Sequence, residues 1–296
     1  MIDYFLEGAD WDDPPVGMAF EAPFGQILDE VRGEVSALRK ARDGSQAESG
    51  DELLERAIRL YTRAPALVNV LLNYKICVEH GLPLHPTVYY ELAEARKYKM
   101  DRPIGELESA NRLYRSAIGL ARAAFRLDDG FPAIAADLGT RLPPLVSGFV
   151  YTGGQDKYTW RGADPAKLRR LAAQISAAAQ IRAAAAPSII VAAAHGSIMP
   201  ALLLAEYLDL PLYFIRFSMF KRHDEAPIVS FADEAYLALW SGAEALLYDE
   251  DVAKGTTLEI FSRKLSPLFA AARTACTIRH AGASFKPDHC AKVWWD

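Results

Sequence analysis

The chain has 296 residues, with 33 Lys and Arg against 38 Asp and Glu, for a formal charge of −5. At 51% hydrophobic and 24% charged residues it can bury a substantial core, which excludes a disordered or fibrous chain. The mild acidity offers no overall electrostatic footprint for a nucleic-acid backbone.

Three cysteines, Cys77, Cys276 and Cys290, are widely spaced and form no CxxC. That usage fits a reducing compartment rather than a disulfide framework or a zinc knuckle. The acidic N-terminus has no signal-peptide pattern, and no stretch approaches the ~18 apolar residues of a membrane span. A cytoplasmic protein that neither crosses nor enters a membrane is expected.

Residues 1–24 mix prolines, acids and aromatics and predict an irregular arm. From there to about 138 the pattern is helical: 26–42, 51–62, 64–80, 86–99, 105–127 and 132–138, separated by breaks bearing Gly or Pro. Residues 43–50 form a polar hinge. In 105–127, Leu107, Tyr114, Ile118, Ala121 and Phe125 recur at helical spacing and mark a buried face. Arg112, Arg115, Arg122 and Arg126 lie along one side of the same helix; the plain expectation is a solvated face, the sharper one contact with an anion or with the second half of the chain. Helical patterning stops near Pro143 and Pro144, so the boundary falls near 150, giving a helical domain over 1–150 and a second domain over 151–296.

The second half alternates. A helix over 165–185 leads to an apolar strand at 188–194, a turn at His195, Gly196 and Ser197, and a helix to about 208. A strand at 211–217, a polar stretch at 221–225, a short strand-like piece at 228–231, a helix at 233–240 and a strand at 245–248 follow. A helix then runs to about 273, and a last strand lies near 275–280. This order implies an α/β fold, a mostly parallel sheet flanked by helices, with ligands at the carboxyl ends of its strands.

Two features converge just beyond Tyr248. Gly255, Thr256 and Thr257 sit where a loop enters a helix, so free amides, hydroxyls and the helix dipole meet beside Lys254, an arrangement that holds a phosphate. Upstream, the Asp249 and Glu250 carboxylates can accept hydrogen bonds from a diol or hold Mg²⁺ through water. A sugar phosphate answers both. A plain N-cap beside a solvated acidic turn is the alternative.

Residues 245–257, ALLYDEDVAKGTT, resemble the signature of type I phosphoribosyltransferases: a hydrophobic strand, two acids and a Gly/Thr phosphate loop. The resemblance extends over about 165–296 and implies that family's fold. It implies that Asp249 and Glu250 contact the ribose hydroxyls of phosphoribosyl pyrophosphate with Mg²⁺ as cofactor, and that Ala253, Lys254, Gly255, Thr256 and Thr257 bind the 5-phosphate. It places pyrophosphate on the 194–197 turn, with His195, Gly196 and Ser197. Arg216 at a strand end and Lys221 in a flap-like stretch would neutralise the leaving group. Past the last expected strand, Phe285, Lys286, Trp294 and Trp295 correspond to a hood over a flat base, or simply pin the tail to the body. Two positions depart from the pattern. Lys254 replaces a small hydroxyl residue, and Ala253 stands where relatives acting on 6-oxopurines often carry an acid.

The six histidines show no metal-ligand spacing, and no GxSxG, GxGxxG or Walker loop is present. The resemblance thus implies an enzyme that transfers ribose 5-phosphate from phosphoribosyl pyrophosphate to a nitrogen nucleophile, a heteroaromatic base. The alternative is a non-catalytic sensor of the same ligand. Residues 1–150 leave three roles open: capping the site, forming a homodimer, or carrying a partner surface.

Overall fold

The structure is a computed structural model that describes residues 1–45, 48–84, 103–182, 186–219 and 224–295. The expected helix at 86–99 lies outside the described residues. The chain divides into two compact units, one of residues 1–10 and 14–155, the other of 11–13 and 156–296.

The first unit is helical. Helix α1 (Phe24–Arg42) buries Ile27, Leu28, Val31, Val35 and Leu38 along one stripe. It packs on α2 (Gly50–Glu79), which packs in turn on α3 (Ile104–Arg126), and α4 (Phe131–Arg141) closes over α3. Helix α2 opens with a capping box: the Glu52 amide donates to Ser49 Oγ, and the Ser49 amide donates back to Glu52 Oε2. Two separate helices are expected across 51–80, yet α2 is continuous, with Pro65 inside it. A proline within a helix costs about 3 kcal/mol. The flanking Leu60, Tyr61, Ala64, Leu67, Val68 and Leu71 are all fully buried. Several large side chains at about 1.5–3 kcal/mol each outweigh the missing hydrogen bond.

The N-terminal arm holds more structure than expected. Strand β1 (Phe20–Pro23) pairs antiparallel with β2 (Val150–Gly153), just after the one-turn helix α5 (Pro144–Ser147). On α3, Arg112, Arg115 and Arg126 are exposed, and Arg112 and Arg126 pair with Glu108 and Asp128. Arg122, on the same side, is half-buried, so only part of that side is a solvated face.

The second unit begins with α6 (Lys157–Gly162) and α7 (Pro165–Arg182). The strands that follow are β3 (Ile189–Ala194), β4 (Leu212–Arg216), β5 (Glu244–Val252), β6 (Ala271–His280) and β7 (His289–Trp294). They form one parallel sheet in the order β4-β3-β5-β6-β7. Helix α8 (Ile198–Leu208) links β3 to β4, α9 (Phe231–Leu237) precedes β5, and α10 (Thr256–Leu265) links β5 to β6. The fold is the expected parallel sheet flanked by helices. The 228–231 piece contributes only a single antiparallel bridge, Ile228 to Arg216.

Three boundaries differ from the sequence pattern. Strand β5 runs through Val252 rather than ending at Tyr248, because its pairing with β6 continues to Val252–Arg279 and carries the acids along. Helix α10 stops at Leu265 because Pro267 has no amide hydrogen to continue the helical ladder; a 3-10 turn over Ser266–Leu268 follows, and β6 already begins at Ala271. Residues 289–294 form a further strand, β7, so Trp294 belongs to the sheet rather than to a free tail.

Candidate functional site

From β3 the chain crosses through α8 to β4 on one side; from β5 it crosses through α10 to β6 on the other. Right-handed crossovers in opposite directions put α8 and α10 on opposite faces of the sheet. The crevice they leave lies between the carboxyl ends of β3 and β5, the place where open α/β sheets bind ligands. Two stretches reach it: the turn at 195–197 and the chain from Asp249 onward.

The register pairs Ala192 with Tyr248, so β3 ends at Ala194 level with Glu250, and β5 projects beyond it. The turn closes over that step. Ser197, fully buried at the start of α8, places its hydroxyl 3.1 Å from Asp249 Oδ1 and 2.7 Å from Glu250 Oε2, donating one proton between them. Gly196 lies directly against the Glu250 carboxylate, 2.6 Å from where its own Cβ would stand to Glu250 Cδ. From α6, the Thr159 hydroxyl donates to Glu250 Oε1 at 3.4 Å, and Gly162 packs on the Glu250 stem, where a Cβ would stand 3.1 Å from Glu250 Cβ.

Two carboxylates sharing one hydroxyl in a buried setting are short of donors. Burial first, then the neighbouring Glu250 charge, pushes the Asp249 carboxyl well above the ordinary carboxylate range. Burial raises Glu250 as well, while hydrogen bonds from Asp249 and Ser197 offset part of the effect. A proton carried on Asp249 and donated to Glu250 settles the pair; a diol's hydroxyls or a cation would do the same.

One residue past β5 the phosphate-type loop begins. Ala253, Lys254 and Thr256 are exposed, Thr257 is half-buried and Gly255 is buried. Gly255 has φ +94°, and a Cβ there would fall 2.5 Å from Phe285 Cβ, so both conformation and space demand glycine. Residue 284 holds the loop from below: the Ser284 amide and hydroxyl both donate to the Lys254 carbonyl, at 3.1 and 2.9 Å. No side chain caps the N-terminus of α10. Asp249 and Glu250 therefore meet the 195–197 turn, while the 253–257 loop follows at the same end of the sheet.

The other candidates fall as follows. His195 is half-buried in the turn, after a cis peptide from Ala194. Arg216 ends β4 beside Ala194 and is buried rather than extended into solvent. Lys221 lies outside the described residues. Lys286 is exposed in the connection from β6 to β7. Trp294 pairs in register with His280, and the Arg161 guanidinium sits 4.3 Å above its ring. With Tyr158, Asp251, Ile278 and His280 they line a cavity of about 90 Å³. His280 Nε2 is 3.3 Å from Asp251, whose carboxyl burial raises to about 6 against the opposing pull of His280.

Sequence patterning missed Thr159 and Gly162. Helix α6 is only six residues long, and its one legible signal is the Asp156 N-cap, which accepts from the Tyr158 and Thr159 amides.

Among the described residues no group of three or more His, Cys, Asp or Glu is placed to hold a metal. Asp249 and Glu250 supply two hard oxygen donors on one spot. That fits a Mg²⁺ ion completed by water and substrate phosphates, which commonly binds through one or two carboxylates. Among the described residues no helix is long and apolar enough to cross a membrane.

No protein-family model and no curated protein matches the chain. Solved structures similar to it include a purine phosphoribosyltransferase from Pyrococcus horikoshii, 19% identical over 43% of this chain and 82% of that one, with TM-score 0.33. A hypothetical protein from Neisseria gonorrhoeae with bound ppGpp is 19% identical over 45% and 81%, with TM-score 0.37. A hypoxanthine phosphoribosyltransferase from Staphylococcus aureus is 15% identical over 45% and 76%, with TM-score 0.36. Over somewhat less than half its length, then, this chain is similar to purine phosphoribosyltransferases of known structure.

Proposed function

We propose that the second unit is a phosphoribosyltransferase that moves ribose 5-phosphate from phosphoribosyl pyrophosphate to a nitrogen of a heteroaromatic base. The observation that carries this reading is the meeting of Asp249 and Glu250 with Ser197 in the crevice between β3 and β5, one turn before an uncapped helix N-terminus. Vicinal ribose hydroxyls donate to the two carboxylates and replace the proton they otherwise share. The 5-phosphate takes the amides of 255–257, the Thr256 and Thr257 hydroxyls and the Lys254 ammonium.

Breaking the bond at C1 builds positive charge on the sugar and negative charge on pyrophosphate, so the work is electrostatic and positional. Pyrophosphate lies on the 195–197 turn, where Gly196 lets the backbone approach. Arg216, and Lys221 outside the described residues, are the cations assigned to its charge. Asp249 and Glu250 would hold Mg²⁺, which would supply positive charge to offset the negative charge developing on pyrophosphate. Lys286 and Trp294 are the residues assigned to the acceptor side.

The test is pyrophosphate release by the full chain with Mg²⁺, phosphoribosyl pyrophosphate and a panel of purine and pyrimidine bases. Release that depends on one base is expected. Tight binding without release for any base would instead make the protein a sensor.

A further inference from the structure

Cys276 and Cys290 are direct neighbours: β6 and β7 pair them in register, so their side chains leave the same face of adjacent parallel strands. Such partners stand roughly 4.8 Å apart at Cα, inside the span of about 4.4–6.8 Å that a disulfide bridges. The Cys290 thiol donates to the Lys292 carbonyl on its own strand at 3.2 Å, with its sulfur on the side that faces Cys276. Their exposures differ. Cys276 is fully buried in the sheet, whereas Cys290 lies on the edge strand and is partly open to solvent. Cys77, the remaining cysteine, is buried in α2 of the other unit.

We infer that Cys290 and Cys276 form a peroxide-reactive dithiol, Cys290 as the attacking sulfur and Cys276 as the resolving one. The Cys290 thiolate attacks one oxygen of hydrogen peroxide; an S–O bond forms, the O–O bond breaks, and water leaves after taking up a proton. Cys276 then attacks the Cys290 sulfenic acid. The S–S bond forms, the S–O bond breaks, and the departing hydroxide takes the Cys276 proton as a second water. Two thiols lose two electrons and one peroxide becomes two waters.

The local chemistry suits these roles. The neighbouring Cys276 thiol first, then the backbone at Lys292 and the Arg279 charge, outweigh burial and bring the Cys290 thiol down to about 7, so much of it is thiolate at neutral pH. Cys276, fully buried beside it, is shielded from peroxide and is the thiol placed to attack second. The outcome is a covalent tie between the edge strand and β6. Cys276 also pairs in register with Asp249, so the tie lies in one row across the sheet with the carboxylate site. The inference holds whatever reaction that site runs.

The full chain is treated with hydrogen peroxide, remaining thiols are alkylated, and the protein is digested with trypsin without reductant. Peptides 274–279 and 280–292 should appear joined, with both thiols lost, and dithiothreitol should separate them; Cys77 should carry the alkyl label throughout. In Cys276→Ser, dimedone should trap a sulfenic acid on Cys290, and in Cys290→Ser it should trap none on Cys276. Alkylation of Cys290 in the native protein should reach half its maximal rate near pH 7. The inference is overturned by unlinked peptides after treatment, by Cys290 going on to sulfinic acid while Cys276 stays free, or by links only between chains, seen on mixing heavy- and light-isotope protein. If either serine variant fails to fold, the wild-type peptide map decides alone.

Discussion

Glu250 fills the space in which a side chain on residue 196 would begin: a Cβ on Gly196 would overlap its Oε1 and lie 2.6 Å from Cδ. The turn after β3 and the acid on β5 fit together only because position 196 has no side chain. Gly196→Ala must therefore swing the carboxylate away from Ser197 or shift the turn. Binding of phosphoribosyl pyrophosphate should weaken by about 10–100-fold, the equivalent of roughly 1.4–2.8 kcal/mol. Calorimetric titration measures it; unchanged affinity would show that the contact plays no part.

Asp249 gives a pH signature. Its folded-state carboxyl titrates well above the ordinary value, because of burial and then Glu250. The stability its protonation contributes is fully present below the unfolded value of about 4 and is lost as pH rises through the folded value. Asp249→Asn removes that loss. The variant should melt a few degrees above wild type at neutral to alkaline pH, as about 1 kcal/mol does in a protein of this size, and the gap should close near pH 4. A gap that widens in acid would contradict the site's electrostatics.

Gly255 combines φ +94° with contact against the Phe285 backbone and Cβ, none of which is the flexible end of a side chain. Gly255→Ala should cost about 1–3 kcal/mol. Thermal melting should show it as a drop of several degrees, whereas an unchanged midpoint would mean that the loop takes another shape.

Trp11 stacks on the buried Trp160 of α6, with ring centroids 4.5 Å apart, and Asp12 pairs with Arg161. This short stretch near the N-terminus thereby steadies the helix that carries Thr159 to Glu250. Trp11→Ala should lower stability by about 1 kcal/mol, the scale of an aromatic pair. Trp160 emission should also shift to the red. A spectrum and midpoint equal to wild type would remove the role assigned to the stack.

The parts of this architecture that could be read from sequence are those where burial leaves a continuous apolar record. Ile189 to Ala194 and Ala245 to Tyr248 are fully buried and read at once as central strands. The acids that follow do not look like strand, since Asp and Glu are poor strand formers; only pairing with β6, a long-range fact, extends β5 to Val252. Strand β7 was hidden for the same reason. Its sequence HCAKVW mixes polar and apolar residues, and its exposed edge needs no apolar pattern. Pro65 pointed to a break because local propensity registers the lost hydrogen bond but not the burial around it. The positions of Asp249, Glu250 and Gly255 were legible from their order in the chain, whereas the approach of Thr159 and Gly162 depends on tertiary packing that no local motif records.

The most direct measurement is titration of phosphoribosyl pyrophosphate, with Mg²⁺, into wild-type protein and into Asp249→Asn/Glu250→Gln. Wild type should bind, and the double variant should bind at least about 100-fold more weakly, a loss of roughly 2.8 kcal/mol, while melting as a folded protein. No heat of binding in wild type, or equal affinity in the double variant, would show that the end of β5 is not where a phosphoribosyl group is held.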